Sequence, residues 1–164
     1  AEAAAAGDVC QVANDNSPGQ VVISGNKEAI ERGEAIAKEQ GAKRYVPLPV
    51  SAPFHCALMQ PAAEKMREAL AEVEVKAPIV PLLANVTAAE TTDPETIRNQ
   101  LVEQVTGRVR WCESIEALAG KGVDNTVEIG AGKVLAGLSK RINKDLNAVS
   151  LQNPADIEEF LGSL

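Results

Sequence analysis

Residues 79–86, Ile-Val-Pro-Leu-Leu-Ala-Asn-Val, are almost unbroken in apolar side chains. A strand with one wet face alternates apolar and polar residues. A short run without alternation is expected instead of a strand covered on both faces, as in a parallel sheet between helices. The chain that follows agrees. Asp93-Pro94 opens a helical pattern carrying Ile97, Leu101, Val102 and Val105, and a second helix carries Ile115 and residues 118–120. Residues 126–129 and 148–151 read as short strands, with a helix over 133–142 between them and another over 156–161 closing the chain. Strands alternating with helices place the sequence in the α/β class.

The first third reads differently. Residues 1–7, Ala-Glu-Ala-Ala-Ala-Ala-Gly, look like the last turns of a helix closed by Gly7, so a chain that starts in mid-helix without Met is expected to be a fragment. Residues 9–13 and 20–24 read as strands separated by the turn-rich 14–19. Asn26 is placed to cap a helix over 27–40, with Ile30, Ile36 and Ala37 on its apolar side and Gly41 as its stop. Residues 44–50 are then extended, with Pro47 and Pro49 pointing to an edge or an irregular exit. Strand, strand, helix, strand is the later part of a ferredoxin-like unit. The boundary falls near 51–53, giving a small unit at 1–51 and a larger one at 52–164. Beyond it, Pro61 suits a first helical position and Ala62, Met66, Ala69, Leu70 and Val73 recur at helical spacing, so Met59 and Met66 are expected in the core.

Composition excludes several classes. A net charge of -7 argues against a general nucleic-acid binder, and 2% aromatic residues supply no stacking platform for single strands. No stretch approaches the ~20 apolar residues of a membrane span. Three widely spaced cysteines, Cys10, Cys56 and Cys112, fit a reducing, cytoplasmic compartment. With a single histidine and no Cys-x-x-Cys pair, no metal site is expected.

That single histidine, His55, lies where an apolar extended run broken by prolines turns into a helix, at the seam between the two units. Histidine exchanges protons near neutral pH, so His55 is the first candidate for acid/base chemistry. Its nucleophile is not evident. No serine has a Gly-x-Ser-x-Gly context, Ser139 falls inside a helix, and Cys56, next to His55, is expected to be a small buried hydrophobe. The Glu-Ile-Gly-Ala-Gly-Lys run at 128–133 follows a strand and opens a helix whose amides suit an anion. It lacks the glycine spacing and the Ser or Thr of a Walker loop. Asn14 and Asn16 suit either a ligand or a turn, and Lys43-Arg44 is a small positive spot on an acidic chain.

Four runs together resemble one family. They are Asn-Asp-Asn-Ser-Pro-Gly-Gln-Val-Val-Ile-Ser-Gly at 14–25, Gly-Ala-Lys-Arg-Tyr-Val-Pro-Leu-Pro-Val-Ser-Ala-Pro-Phe-His-Cys-Ala-Leu-Met at 41–59, Val-Arg-Trp at 109–111, and Glu-Ile-Gly-Ala-Gly-Lys-Val-Leu-Ala-Gly-Leu at 128–138. In order and spacing they are similar to the malonyl-CoA:acyl carrier protein transacylases of bacterial fatty acid synthesis and the acyltransferase domains of polyketide synthases.

The resemblance implies an α/β-hydrolase-like large lobe and a ferredoxin-like small lobe, both incomplete here. It implies malonyl transfer from coenzyme A to acyl carrier protein through an acyl-serine, with the coenzyme A thioester as substrate and no cofactor. His55 matches the general base, and Gln104 a residue whose main-chain carbonyl orients it. Phe54 matches the malonyl-selective form of the motif, Asn14 and Asn16 match positions lining the active-site gorge, and Lys43 and Arg44 match a docking patch for the carrier protein. The elbow serine, the arginine that pairs with malonate and the oxyanion loop are absent from these residues, so an N-terminal portion of the same enzyme is an implied partner. Gly107-Arg108 also departs from the family, which usually has proline there. The alternatives are an excised polyketide synthase acyltransferase domain and a non-catalytic module that docks acyl carrier protein.

Overall fold

A computed structural model describes residues 1–163. Helix α1 (Glu2–Ala5) leads into strand β1 (Cys10–Ser17), strand β2 (Gln20–Gly25) and helix α2 (Lys27–Glu39). β1 and β2 pair antiparallel, closing at Ser17 opposite Gln20. The turn is only Pro18-Gly19: proline fixes the first φ, and Gly19 takes the positive second φ, 75°, that a type II turn requires. The strand therefore extends through Asn14 and Asn16, which the sequence assigned to the turn. Register shifts after Val12 and after Asp15 bend it there.

Asn26 sits at the start of α2, but its side chain does not cap the helix. Its Oδ1 accepts from the Val9 amide at 2.8 Å while its own amide donates to the Val9 carbonyl at 2.9 Å, tying the two ends of the hairpin. Ala4, Cys10 and Ala29 form the core beneath, packed by Ile23, Ile30 and Ile36. Arg32 of α2 donates to the Ala4 and Ala5 carbonyls at the end of α1, the latter shared with the Asp8 amide.

Residues 44–50 make no ladder pairing, contrary to the expected strand. Pro47 and Pro49 lack the amides a ladder needs. A 3-10 turn (Ala57–Met59) precedes helix α3 (Gln60–Ala71), which packs on helix α4 (Pro94–Glu103). Ala63 is the buried residue of α3; Met66 is exposed, and Val73 lies beyond the helix, so the apolar spacing read there is not a core face.

The apolar run at 79–86 is the largest departure. Only Leu82–Leu83 forms a strand, β3, paired antiparallel with β4 (Glu90–Thr91), and Ile79 and Val80 are 103% and 69% exposed. Burial of both strand faces needs neighbours on each side; among the described residues these reach Ala84, which is buried, and leave Ile79 and Val80 exposed.

Helix α5 (Trp111–Gly120), strand β5 (Asn125–Ile129), helix α6 (Val134–Ile142), strand β6 (Asn147–Leu151) and helix α7 (Pro154–Gly162) complete the chain. β5 and β6 pair parallel, Val127 opposite Val149, with α6 as the crossover, so the α/β class holds. Helices α5 and α6 both pack against β1. No helix among the described residues is long and apolar enough to cross a membrane.

Candidate active site

His55 has a left-handed backbone, φ 59°. This costs a non-glycine residue about 1 kcal/mol or more and concentrates at functional positions. The surroundings impose it. The fully buried Cys56 thiol donates to the Pro53 carbonyl at 3.1 Å, and the Ala57 amide donates to Gln11 Oε1 of β1 at 2.7 Å. The imidazole is thereby turned toward α4, where Nδ1 lies 2.8 Å from the Gln104 carbonyl oxygen. A carbonyl only accepts, so Nδ1 carries the hydrogen, and in the neutral ring Nε2 keeps its lone pair.

Gln104 is the residue at which α4 ends. Its amide donates to the Gln100 carbonyl at 3.0 Å, while its own carbonyl belongs to the last turn, where helix acceptors lack partners within the helix. Val105, Thr106 and Gly107 fold back onto the Val102 and Glu103 carbonyls, leaving that of Gln104 to His55. The Gln104 side chain is held separately, its Oε1 accepting from Asn85 Nδ2 at 3.1 Å.

β1 closes the other side. Asn14 forms an isolated parallel bridge with Val109: the Val109 amide donates to the Ala13 carbonyl at 2.8 Å and the Asp15 amide to the Val109 carbonyl at 2.9 Å. The next residue, Arg110, donates its amide to the Asn85 carbonyl at 2.9 Å. Its guanidinium pairs with Glu113 through two nitrogens, which holds that carboxyl below the ordinary glutamate range and raises the arginine. Arg108, at the position that departs from the resembled family, adds a second cation to Glu113 at 3.1 Å.

The structure joins His55 directly to Gln104, and Asn14 and Asn16 lie on the bent β1, the strand whose Gln11 accepts from the Ala57 amide. Phe54, half-exposed, precedes the histidine. Lys43 and Arg44 are exposed on the loop after α2, separate from this hydrogen-bonded set.

Other candidates drop out. The Leu135 and Ala136 amides at the start of α6 donate to the Glu128 carboxylate at 3.2 and 2.8 Å, so the chain's own carboxylate occupies the anion position of the glycine loop. Ser114 and Ser139 are buried and give their hydroxyls to the Arg110 and Leu135 carbonyls, four residues back, which removes them as nucleophiles.

Sequence reasoning missed Gln11, Asn85 and the Arg110–Glu113 pair. Asn85 carried a signal: it is the one polar side chain in the apolar run at 79–86.

No protein-family model matches the chain. It is 49% identical over 160 residues to the malonyl CoA-acyl carrier protein transacylase of Salmonella typhimurium, covering 98% of this chain and 52% of that protein. Against the Bacillus subtilis protein of the same name it is 46% identical over 158 residues, covering 96% and 50%. The crystal structure of an acyl-carrier-protein-S-malonyltransferase from Bartonella henselae superposes with a TM-score of 0.93 at 54% identity, over 99% of this chain and 52% of that one. A malonyl-transacylase in complex with its type II PKS acyl-carrier protein gives 0.94 at 43% identity, over 99% and 53%. The chain spans about half the length of the relatives it matches. In sequence and in fold, it matches the C-terminal portion of the malonyl CoA-acyl carrier protein transacylase family.

Proposed function

We propose that this chain supplies the general-base half of a malonyl-CoA:acyl carrier protein malonyltransferase. The observation that carries the reading is the His55 ring, strained in its backbone and held by the Gln104 carbonyl so that Nε2 is the free base.

A serine hydroxyl from the N-terminal portion of the enzyme attacks the malonyl thioester as Nε2 takes its proton. The tetrahedral intermediate collapses, the carbon–sulfur bond breaks, and coenzyme A leaves as the thiol with the proton from Nε2. In the second half-reaction Nε2 takes the proton of the carrier protein's phosphopantetheine thiol, the sulfur attacks the acyl-serine, and the serine oxygen leaves with that proton. Both the leaving and the attacking sulfur are thiols, which act as nucleophiles and leaving groups in the thiolate form. The Gln104 carbonyl takes the orienting place that a buried aspartate holds in a Ser-His-Asp triad. The negative end of the α4 dipole faces the transient imidazolium. Acid/base work by side chains covers the whole sequence, and no cofactor is required.

Phe54 then shapes the acyl pocket for malonyl, Asn14 and Asn16 line the approach, and Lys43 with Arg44 meets the acidic carrier. Residues 1–51 form part of a ferredoxin-like lobe and 52–164 part of the α/β-hydrolase-like lobe, working in the cytoplasm. Exposed Ile79 and Val80, and exposed Ile129 at the end of β5, are apolar surfaces that the N-terminal portion covers. Similarity to the partner of a type II PKS carrier keeps polyketide carriers beside those of fatty acid synthesis as acceptors.

The test combines this chain with the N-terminal half of the Bacillus subtilis relative, labelled malonyl-CoA and acyl carrier protein. Label is expected on the carrier only when both halves are present, and His55→Ala should slow its appearance about 100-fold or more. Covalent label on this chain alone, or transfer indifferent to His55, overturns the reading.

A further inference from the structure

The Gln104 carbonyl orients His55 only as well as Gln104 itself is oriented, and a residue at a helix end frays unless something outside the helix holds it. Asn85 is what holds it. Its Nδ2 donates to Gln104 Oε1 at 3.1 Å across 19 residues of sequence. Asn85 is fixed in turn: its carbonyl accepts the Arg110 amide at 2.9 Å, and the Arg110 guanidinium donates to the Thr87 carbonyl, also at 2.9 Å. The turn it sits in is closed by the Ala88 amide on the Ala84 carbonyl at 2.9 Å, with Ala88 at φ 52°. Gly107 lets this turn seat on the helix end, since a Cβ there would meet Val86 Cγ1 and the Glu103 carbonyl at 3.0 Å each.

We propose that Asn85 is a positioning residue for His55: by holding the Gln104 side chain it fixes the direction of the Gln104 carbonyl, and through it the Nδ1–H tautomer of the imidazole. This rests on the reading of His55 as the base, because only that tautomer leaves Nε2 free to accept a proton. The placement explains why an amide interrupts an otherwise apolar segment. Its two neighbours in sequence, Ala84 and Val86, pack, while Asn85 turns its amide toward the site. An apolar residue of the same size would leave Gln104 Oε1 without its donor.

The chain has one histidine, so its imidazole nitrogens can be watched without assignment. The 164-residue chain is labelled with 15N-histidine, and the ratio of the Nδ1–H to Nε2–H forms is read from the ring nitrogen shifts at a pH where the ring is neutral. The wild type is expected in the Nδ1–H form. Asn85→Ala and Gln104→Leu should each shift the tautomer ratio by about five-fold, the loss expected of one hydrogen bond. The double variant should shift it no further than either alone. Gln104→Glu keeps both the carbonyl and an acceptor for Asn85, so it should retain the wild-type ratio. Circular dichroism checks that each variant keeps its helices. An Nδ1–H wild type with an unchanged ratio in Asn85→Ala overturns the role of Asn85 and leaves His55 as the base. A wild type dominated by the Nε2–H form overturns both.

Discussion

His55 and Gln104 stand 49 residues apart in sequence, yet the imidazole Nδ1 donates to the Gln104 carbonyl oxygen at 2.8 Å. One ring nitrogen is thereby committed to the protein and the other kept for chemistry. Removing the ring should cost the reconstituted enzyme about 100-fold or more in kcat, the usual contribution of a positioned general base, with KM for malonyl-CoA little changed. Steady-state transfer to acyl carrier protein by His55→Ala measures this. A variant with wild-type kcat would remove His55 from the reaction.

Gly25 closes the hairpin against the start of β1. A Cβ on it would lie 1.9 Å from the Val9 carbonyl oxygen and 2.9 Å from the Cys10 Cα, both backbone atoms that cannot swing aside. Gly25→Ala should destabilise the fold by about 2 kcal/mol or more. In thermal unfolding this appears as a fall of about 4–8 °C in Tm. An unchanged Tm would mean that the hairpin ends do not meet as described.

Glu113 titrates below the ordinary glutamate value because the Arg110 guanidinium binds its carboxylate. A depressed carboxyl contributes stability that is present above its unfolded pKa and lost as pH falls through its folded one. Acidification from pH 5 toward 3 should therefore loosen the loop that ends in Arg110, modestly because the pair is about one-third exposed. Hydrogen exchange at the Val109 and Arg110 amides, corrected for its intrinsic pH dependence, should speed up over this range. Glu113→Gln should show the faster exchange already at pH 5 and little further change. Equal pH profiles in the two proteins would contradict the pairing.

Lys43 and Arg44 carry exposed positive charge on a chain of net charge -7. If they receive an acidic carrier, reversing both to Glu should lower kcat/KM for acyl carrier protein by roughly 10-fold at low salt and much less at high salt. Turnover with malonyl-CoA and a small thiol acceptor should be unaffected. A loss that ignores salt, or one that extends to the small acceptor, would place their role elsewhere.

Much of this protein was legible where the physics is local. Asp93 accepts from the Thr96 amide and hydroxyl at the start of α4, the helix that Asp93-Pro94 announces, whereas the capping box of Asn153 with Asp156 starts α7 at Pro154, ahead of the expected 156. Pro18-Gly19 turns the hairpin, and β5, α6 and β6 follow from alternating short strands and helical spacing. Even here tertiary contacts revised the reading: β1 runs on through Asn14 because Val109 pairs beside it, and Asn26 gives its side chain to Val9 instead of to its helix.

The chemistry of the site lay beyond local reasoning. Residue type marked His55 as able to move protons, but its left-handed backbone depends on where Cys56, Pro53 and Gln11 stand. Its tautomer depends on the free carbonyl at the end of α4 and on Asn85 behind it. The apolar run at 79–86 reads as a strand covered on both faces, whereas among the described residues only Leu82–Leu83 pairs, in an antiparallel ladder, and Ile79 and Val80 are exposed. Side-chain identity and short-range periodicity determine helices, turns and the kind of chemistry a residue permits. Which acceptor meets which donor across 49 residues is decided only when packing brings distant segments together.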